Sequence, residues 1–282
     1  MLKTTGFSLT QRVMRCIIAL SVWRLFNGSL SRQDFLLGVL SIMTKQENFE
    51  FLRSICPAKL KNEPYEALLI WLFGSEEHTV AICAMKAYRD VQRNLRGISK
   101  MPEQDKKAWR EDIEVLISGC IDNLLIQKSS GQEAFDTWHS KTCEEICEVS
   151  DKHKVPKWVE WMENGYPYGL AQKILNMTIK NMIIMGRWDD QLDPIRSYLH
   201  IPVDSYIMEA AWEDLKVTIP CKNGGVGKYS LTGSKSDTKP WSQWNTSEYV
   251  QFQKDVRHAV KGCPMDWEFK AWNKTKAKRE SV

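Results

Sequence analysis

The stretch His200-Ile-Pro-Val-Asp-Ser-Tyr-Ile-Met-Glu-Ala-Ala211 decides how this chain is read. An extended Ile-Pro-Val run leads into Asp204 and then into apolar residues at helical spacing. An acid at that junction can cap the helix, accepting from backbone N–H groups of the first turn in the favourable field of the helix N-terminus. It can equally face a cleft as a catalytic carboxylate. Upstream, Tyr168-Gly-Leu-Ala-Gln-Lys-Ile-Leu-Asn176 sets Lys173 in a helix that is otherwise mostly apolar. A lysine there either snorkels from one face or sits partly desolvated, where a lowered pKa makes the amine nucleophilic and opens Schiff-base chemistry.

Between the two segments run more apolar residues and the loop Gly186-Arg-Trp-Asp-Asp-Gln-Leu-Asp-Pro194. Two antiparallel neighbours joined this way can bring Lys173 and Asp204 together. Spacing alone leaves two readings, a surface lysine plus a helix cap, or a catalytic pair. The turn Gly165-Tyr-Pro-Tyr-Gly169 feeds directly into the lysine helix, and free N–H groups at such an entry can hold a phosphate.

Outward from this pair, nearly everything before Leu215 has helical periodicity, through 13–26, 35–43, 65–73, 80–95 and 109–126. Ser31 with Asp34, and Asn62-Glu-Pro64, mark helix starts. Gly97 to Pro102 is a loop, and Pro220 to Trp244, with Gly224-Gly225-Val-Gly227, is a long irregular surface loop. Two last helices span 247–260 and 264–274. No run alternates long enough to build a sheet. The expectation is an all-α fold of two packed helical subdomains, divided near residues 155 and 156 but forming one compact unit.

Composition agrees with an ordinary globular protein: 43% hydrophobic and 26% charged over 282 residues, enough to bury a sizeable core. The apolar run Ile17-Ile-Ala-Leu-Ser-Val-Trp23 is too short to span a bilayer and lacks a small-residue cleavage pattern, so it reads as a core helix and no membrane is implied. Eight scattered cysteines read as reduced thiols of a cytoplasmic protein. Cys143 and Cys147 stand four apart with His139 nearby, a weak metal motif, and no metal is expected. Net charge is only +4, but Lys270 to Arg279 carries five basic residues and no acid, and Lys222 to Lys239 four lysines against one aspartate. Such segments are either solvated or attract nucleic acid. Of twelve tryptophans, Trp188, Trp241 and Trp244 lie in polar surroundings where stacking on a ligand is possible.

Ile201-Pro-Val-Asp-Ser-Tyr-Ile207 resembles the Pro-Val-Asp segment of the helix-hairpin-helix DNA glycosylases, and Gln172-Lys-Ile-Leu-Asn176 stands where bifunctional members, the 8-oxoguanine glycosylases among them, have their catalytic lysine. The order of glycine turn, lysine helix, apolar stretch and Pro-Val-Asp agrees. Asp266-Trp-Glu-Phe-Lys-Ala-Trp272 is similar to the last helix of the 8-oxoguanine branch, which walls the base pocket. The likeness covers about residue 156 to the end. Tyr166-Pro-Tyr-Gly169 keeps one glycine where the family's hairpin has two, and the spacing from lysine to aspartate is longer. The four-cysteine cluster of the iron–sulfur branch is missing, so no cofactor is implied.

The resemblance implies that the protein binds double-stranded DNA and flips a damaged or modified base into a pocket, with unstacking costing a few kcal/mol. Lys173 would attack the anomeric carbon while Asp204 stabilises the developing positive charge and takes the lysine proton. The resulting Schiff base would permit strand cleavage. Tyr166, Gly169, Gln172, Lys222 and Lys228 would hold the DNA backbone, and Tyr206, Phe252 and Trp267 would line the base pocket, though aromatics at helical spacing also serve as core. The expected setting is cytoplasmic, nucleoid-associated in a bacterium. Alternatives are a glycosylase aimed at a deliberately modified base, as a phage-defence enzyme would be, and a non-catalytic nucleic-acid-binding or interaction protein on the same fold.

Overall fold

The structure, a computed structural model, describes residues 46–92, 100–127, 131–155, 168–230 and 237–281. The chain divides into a unit of residues 1–50, of which 46–50 are described and helical, and a unit of residues 51–282. The helices expected over 13–26 and 35–43, the Ser31 start, Tyr166 and most of the 97–102 loop lie outside the described residues. The division expected near residue 155 falls within the second unit.

The second unit is all-α. Its helices are α1 (Tyr65–Phe73), α2 (Val80–Gln92), α3 (Glu103–Gln127), α4 (Gln132–Lys152), α5 (Tyr168–Met185), α6 (Asp189–Leu192), α7 (Ser205–Ala210), α8 (Thr246–Ala259) and α9 (Pro264–Glu280). Several boundaries have a local cause. Pro64 precedes α1, and Gly74 ends it in the left-handed conformation with φ 72°. Asn245 and Glu248 form a reciprocal capping box at α8, and Pro264 sits at the first turn of α9. A π turn, Ala211–Leu215, continues α7.

The loop after residue 217 is more ordered than its composition suggests. Ile219–Pro220 pairs antiparallel with Val226–Gly227, and Cys221 bridges to Thr238. The glycines make the tight reversal, with Gly224 at φ 84°.

At the centre lies α5, buried on every side apart from Met177. It packs against α2, α4, α8 and the 3-10 turn Trp241–Gln243. A helix enclosed all round should be apolar all round. This one carries Gln172, Lys173, Asn176, Thr178, Lys180 and Asn181 inside. Their polar atoms need partners, since an orphaned buried group costs about 1–3 kcal/mol. Asn181 donates to the Cys83 carbonyl of α2 at 3.0 Å, and Thr178 bonds the carbonyl of Ile174. The rest build the site.

Candidate active site

Three side-chain amides dock the extended Ile201–Val203 segment onto α5. Gln172 Nε2 donates to the Val203 carbonyl and its Oε1 accepts the Val203 N–H, both at 3.3 Å. Asn176 donates to the Ile201 carbonyl at 3.2 Å. Gln253, from α8, brackets Ile201 from the other side, accepting its N–H at 3.1 Å and donating to its carbonyl at 2.8 Å. Pro202 has no N–H to satisfy. The next residue is thereby delivered beside Lys173.

Asp204 uses both oxygens twice. Oδ1 caps α7, accepting from the N–H groups of Tyr206 and Ile207 at 3.0 Å each. Oδ2 accepts from Lys173 Nζ at 2.8 Å and from Trp272 Nε1 at 3.3 Å. The pair is largely buried, with side chains 9% and 17% exposed for Lys173 and Asp204. Burial by itself pushes the Asp204 carboxyl up. The Lys173 ammonium and its hydrogen bond, the Ile207 amide and the Lys180 charge outweigh burial and hold the carboxyl below its ordinary value.

The pair opens on a cavity of about 390 Å³. Phe51, Tyr206, Trp241 and Trp272 supply aromatic wall, and Ile55, Leu72, Met177 and Ile184 aliphatic wall. Lys173 Nζ lies 5.9 Å from the centre of the Trp241 ring. Two further ion pairs face the same space. Lys86 and Asp90 meet at 2.5 Å on α2. Lys180 and Glu268 meet at 2.7 Å, with side chains only 4% and 1% exposed. The Lys180 ammonium sits over the rings of Phe269, Phe51 and Trp272 at 4.6, 5.0 and 5.8 Å. Burial pulls the pKa of Lys180 down and raises that of Glu268 despite their mutual attraction. A wider and more open hollow of about 680 Å³, lined by Glu76, His78, Asp122, Arg187 and Trp188 among others, contains no lysine.

Several residues expected to touch DNA are engaged elsewhere. Gly169 is buried, and its N–H already donates to the Trp244 carbonyl at 3.1 Å. A Cβ at Gly169 would lie 1.9 Å from the Trp241 carbonyl oxygen, so glycine is required by the close approach of the 241–244 turn and not by a phosphate. Gln172 is fully buried as the clamp on Val203. Lys222 is exposed in the β turn, and the ammonium of Lys228 lies 5.8 Å from the Trp212 ring; neither lines the cavity.

Of the aromatic candidates, Tyr206 lines the cavity, whereas Phe252 is core, edge-on to Trp244 at 5.1 Å. Trp267 lies off the cavity wall, which α9 supplies through Glu268 and Trp272. Trp244 is buried, with its N–H on the Lys239 carbonyl. The basic run of α9 is largely neutralised. Lys274 pairs with Asp214 at 2.6 Å, Lys278 with Glu209 and Glu213 at 2.9 and 2.5 Å, and Arg279 with Glu209 at 2.7 Å. Arg279 also stacks on Tyr206 at 4.2 Å.

His139 has both ring nitrogens occupied, by the Tyr168 hydroxyl at 3.1 Å and the Asn176 carbonyl oxygen at 2.9 Å. Among the described residues no group of three or more His, Cys, Asp or Glu is placed to hold a metal ion. None of the described helices is long and apolar enough to cross a membrane.

Sequence reasoning missed Lys180, Glu268, Trp272 and the Lys86–Asp90 pair. One signal was available. Lys180 stands seven residues after Lys173, two turns along the same face of an apolar helix. No family model matches the chain, and comparison with curated proteins and with solved structures likewise finds no match.

Proposed function

We propose that the protein is a DNA glycosylase with lyase activity, resembling the helix-hairpin-helix enzymes, that excises a damaged or modified base through a lysine Schiff base. The observation that carries this reading is the contact of Lys173 Nζ with Asp204 Oδ2 at 2.8 Å on the wall of an aromatic-lined cavity. The cavity volume is that of a small-molecule site, and its aromatic walls suit a planar ligand.

Lys173 must lose a proton to attack, and Oδ2 is the acceptor in reach. The amine lone pair then forms a bond to the deoxyribose C1′. The C1′–N bond breaks, its electron pair leaving on the base, which takes up a proton. Ring opening gives an imine, and removal of a C2′ proton expels the 3′ phosphate. The proton Asp204 takes from Lys173 would pass to the departing base, and the carboxylate so restored, fixed by two amides of α7, would stabilise the positive charge at C1′. Such an enzyme would act in the cytoplasm, at the nucleoid of a bacterial cell.

Reduction with borohydride during incubation with duplexes carrying an abasic site or a modified base tests this directly. A covalent adduct formed by the native chain and lost in Lys173→Gln supports it. A second reading, a non-catalytic binding or interaction protein, is favoured by the completeness of the hydrogen bonding at Asp204 and by the neutralised basic face of α9. Absence of an adduct, with DNA affinity unchanged in Lys173→Gln, would select it.

A further inference from the structure

We propose that Trp272 is the positioning residue of the Lys173–Asp204 pair, its indole N–H fixing Oδ2 of Asp204 independently of the lysine. The proposal rests on the catalytic reading of that pair for its purpose, but not for its geometry. Oδ1 is held by two backbone amides, which leave the carboxylate free to lose alignment at its other oxygen. Oδ2 has two donors, Lys173 Nζ and Trp272 Nε1. Once the lysine nitrogen is bonded to carbon, it keeps fewer N–H groups and its position follows the sugar, so its contact with Oδ2 is no longer set by α5 alone. Trp272 Nε1 is then the donor to Oδ2 that the fold itself holds in place, and a mostly buried carboxylate oxygen without one is costly.

Trp272 is itself held from several sides. Its ring packs on Tyr206 at 5.4 Å with an interplanar angle of 51°, and on Phe51 at 6.5 Å and 60°. The Lys180 ammonium, anchored by Glu268, lies 5.8 Å from its centre. A buried Lys–Glu pair is a poor source of stability compared with apolar packing. Beside this ring it has a use, since it restrains the indole that restrains the aspartate. Phenylalanine would keep most of the ring packing, so the indole N–H is the part that packing alone does not call for.

The test uses the full chain labelled with ¹⁵N-tryptophan, with the Trp272 indole signal assigned through its contacts with Tyr206. The signal is expected to move as Asp204 titrates at acid pH, to be displaced in Asp204→Asn, and to stay protected from exchange in Lys173→Gln. In parallel, Trp272→Phe should raise the midpoint of the Asp204 contribution to acid unfolding, read as the difference between profiles with and without Asp204→Asn, by about half a pH unit, roughly a three-fold change in proton affinity. An indole signal blind to Asp204→Asn would overturn the proposal, as would a Trp272→Phe effect equal in both backgrounds at every pH. If Trp272→Phe does not fold, the indole comparison still decides. None of these measurements needs DNA, so a missing borohydride adduct would sink the lyase reading without touching this result.

Discussion

Gln172 and Val203 are joined in both directions, the side-chain amide of one pairing with the backbone N–H and carbonyl of the other as a neighbouring strand would. Through this clasp a residue of α5 fixes the position of the chain one residue before Asp204 and one residue before Lys173. Gln172→Leu keeps the volume but orphans the N–H and carbonyl of Val203. A loss of about 2–6 kcal/mol is expected, from two unsatisfied buried groups at about 1–3 kcal/mol each. Urea unfolding measures the loss. A change below 0.5 kcal/mol, on the order of a surface substitution, would show that the clasp does not hold the segment.

Gly169→Ala forces a methyl against the Trp241 carbonyl, so either the 241–244 turn retreats or α5 shifts. Overpacking of this kind costs about 1–3 kcal/mol or more. Because Trp241 walls the cavity, its fluorescence should report greater solvent exposure along with a lower Tm. A variant with unchanged Tm and emission would contradict the close approach.

The Lys180–Glu268 pair separates two kinds of cost. Removing one partner, as in Lys180→Met, leaves a buried charge alone and is expected to destabilise by about 3–5 kcal/mol. Replacing both, Lys180→Met with Glu268→Met, should recover most of that loss. A double variant as unstable as the single one would mean that the pair is packed for shape and not for charge. Thermal unfolding of the three proteins distinguishes the outcomes.

Stability should depend on pH in two windows. Burial holds His139 well below its ordinary pKa despite the Asn176 hydrogen bond, and His200 below its own despite Asp136. The unfolded chain therefore takes up protons near pH 6.5 that the folded chain refuses. Stability falls as pH drops below that value, by about 1.4 kcal/mol per unit for each fully shifted histidine. Asp204 acts lower down. Its folded pKa is depressed, so its contribution is complete above the ordinary carboxylate value and disappears as pH falls through the folded one. Urea titrations from pH 7.5 to 3 should show a slope below pH 6.5 that weakens in His200→Gln, and a steepening below about pH 4, shared with Asp112, Asp136 and Glu209, that is reduced in Asp204→Asn.

Local features of the chain were readable in advance. The helix over 65–73 follows from its proline entry, a helix was expected over 247–260 where α8 lies, and the nearness of Lys173 to Asp204, open on spacing alone, was what the glycosylase resemblance implied. What escaped was decided by contacts between distant residues. Nothing near Gly169 announces that the carbonyls of Trp241 and Trp244, more than seventy residues on, occupy the entry of α5. The five basic residues of 270–279 look free until α7 and its π turn place Glu209, Glu213 and Asp214 against α9. Choosing Trp272 over Trp267 depends on which face of α9 meets the cavity, and both lie in the same seven-residue stretch.

The central claim is that Lys173 is a nucleophile aligned by Asp204. Mass spectrometry of the native chain after borohydride reduction with an abasic-site duplex puts it to the test most directly. The account predicts a deoxyribose-derived adduct on the peptide carrying Lys173, abolished in Lys173→Gln and strongly reduced in Asp204→Asn. An adduct mapped to another lysine, or none on any duplex tried, would contradict it.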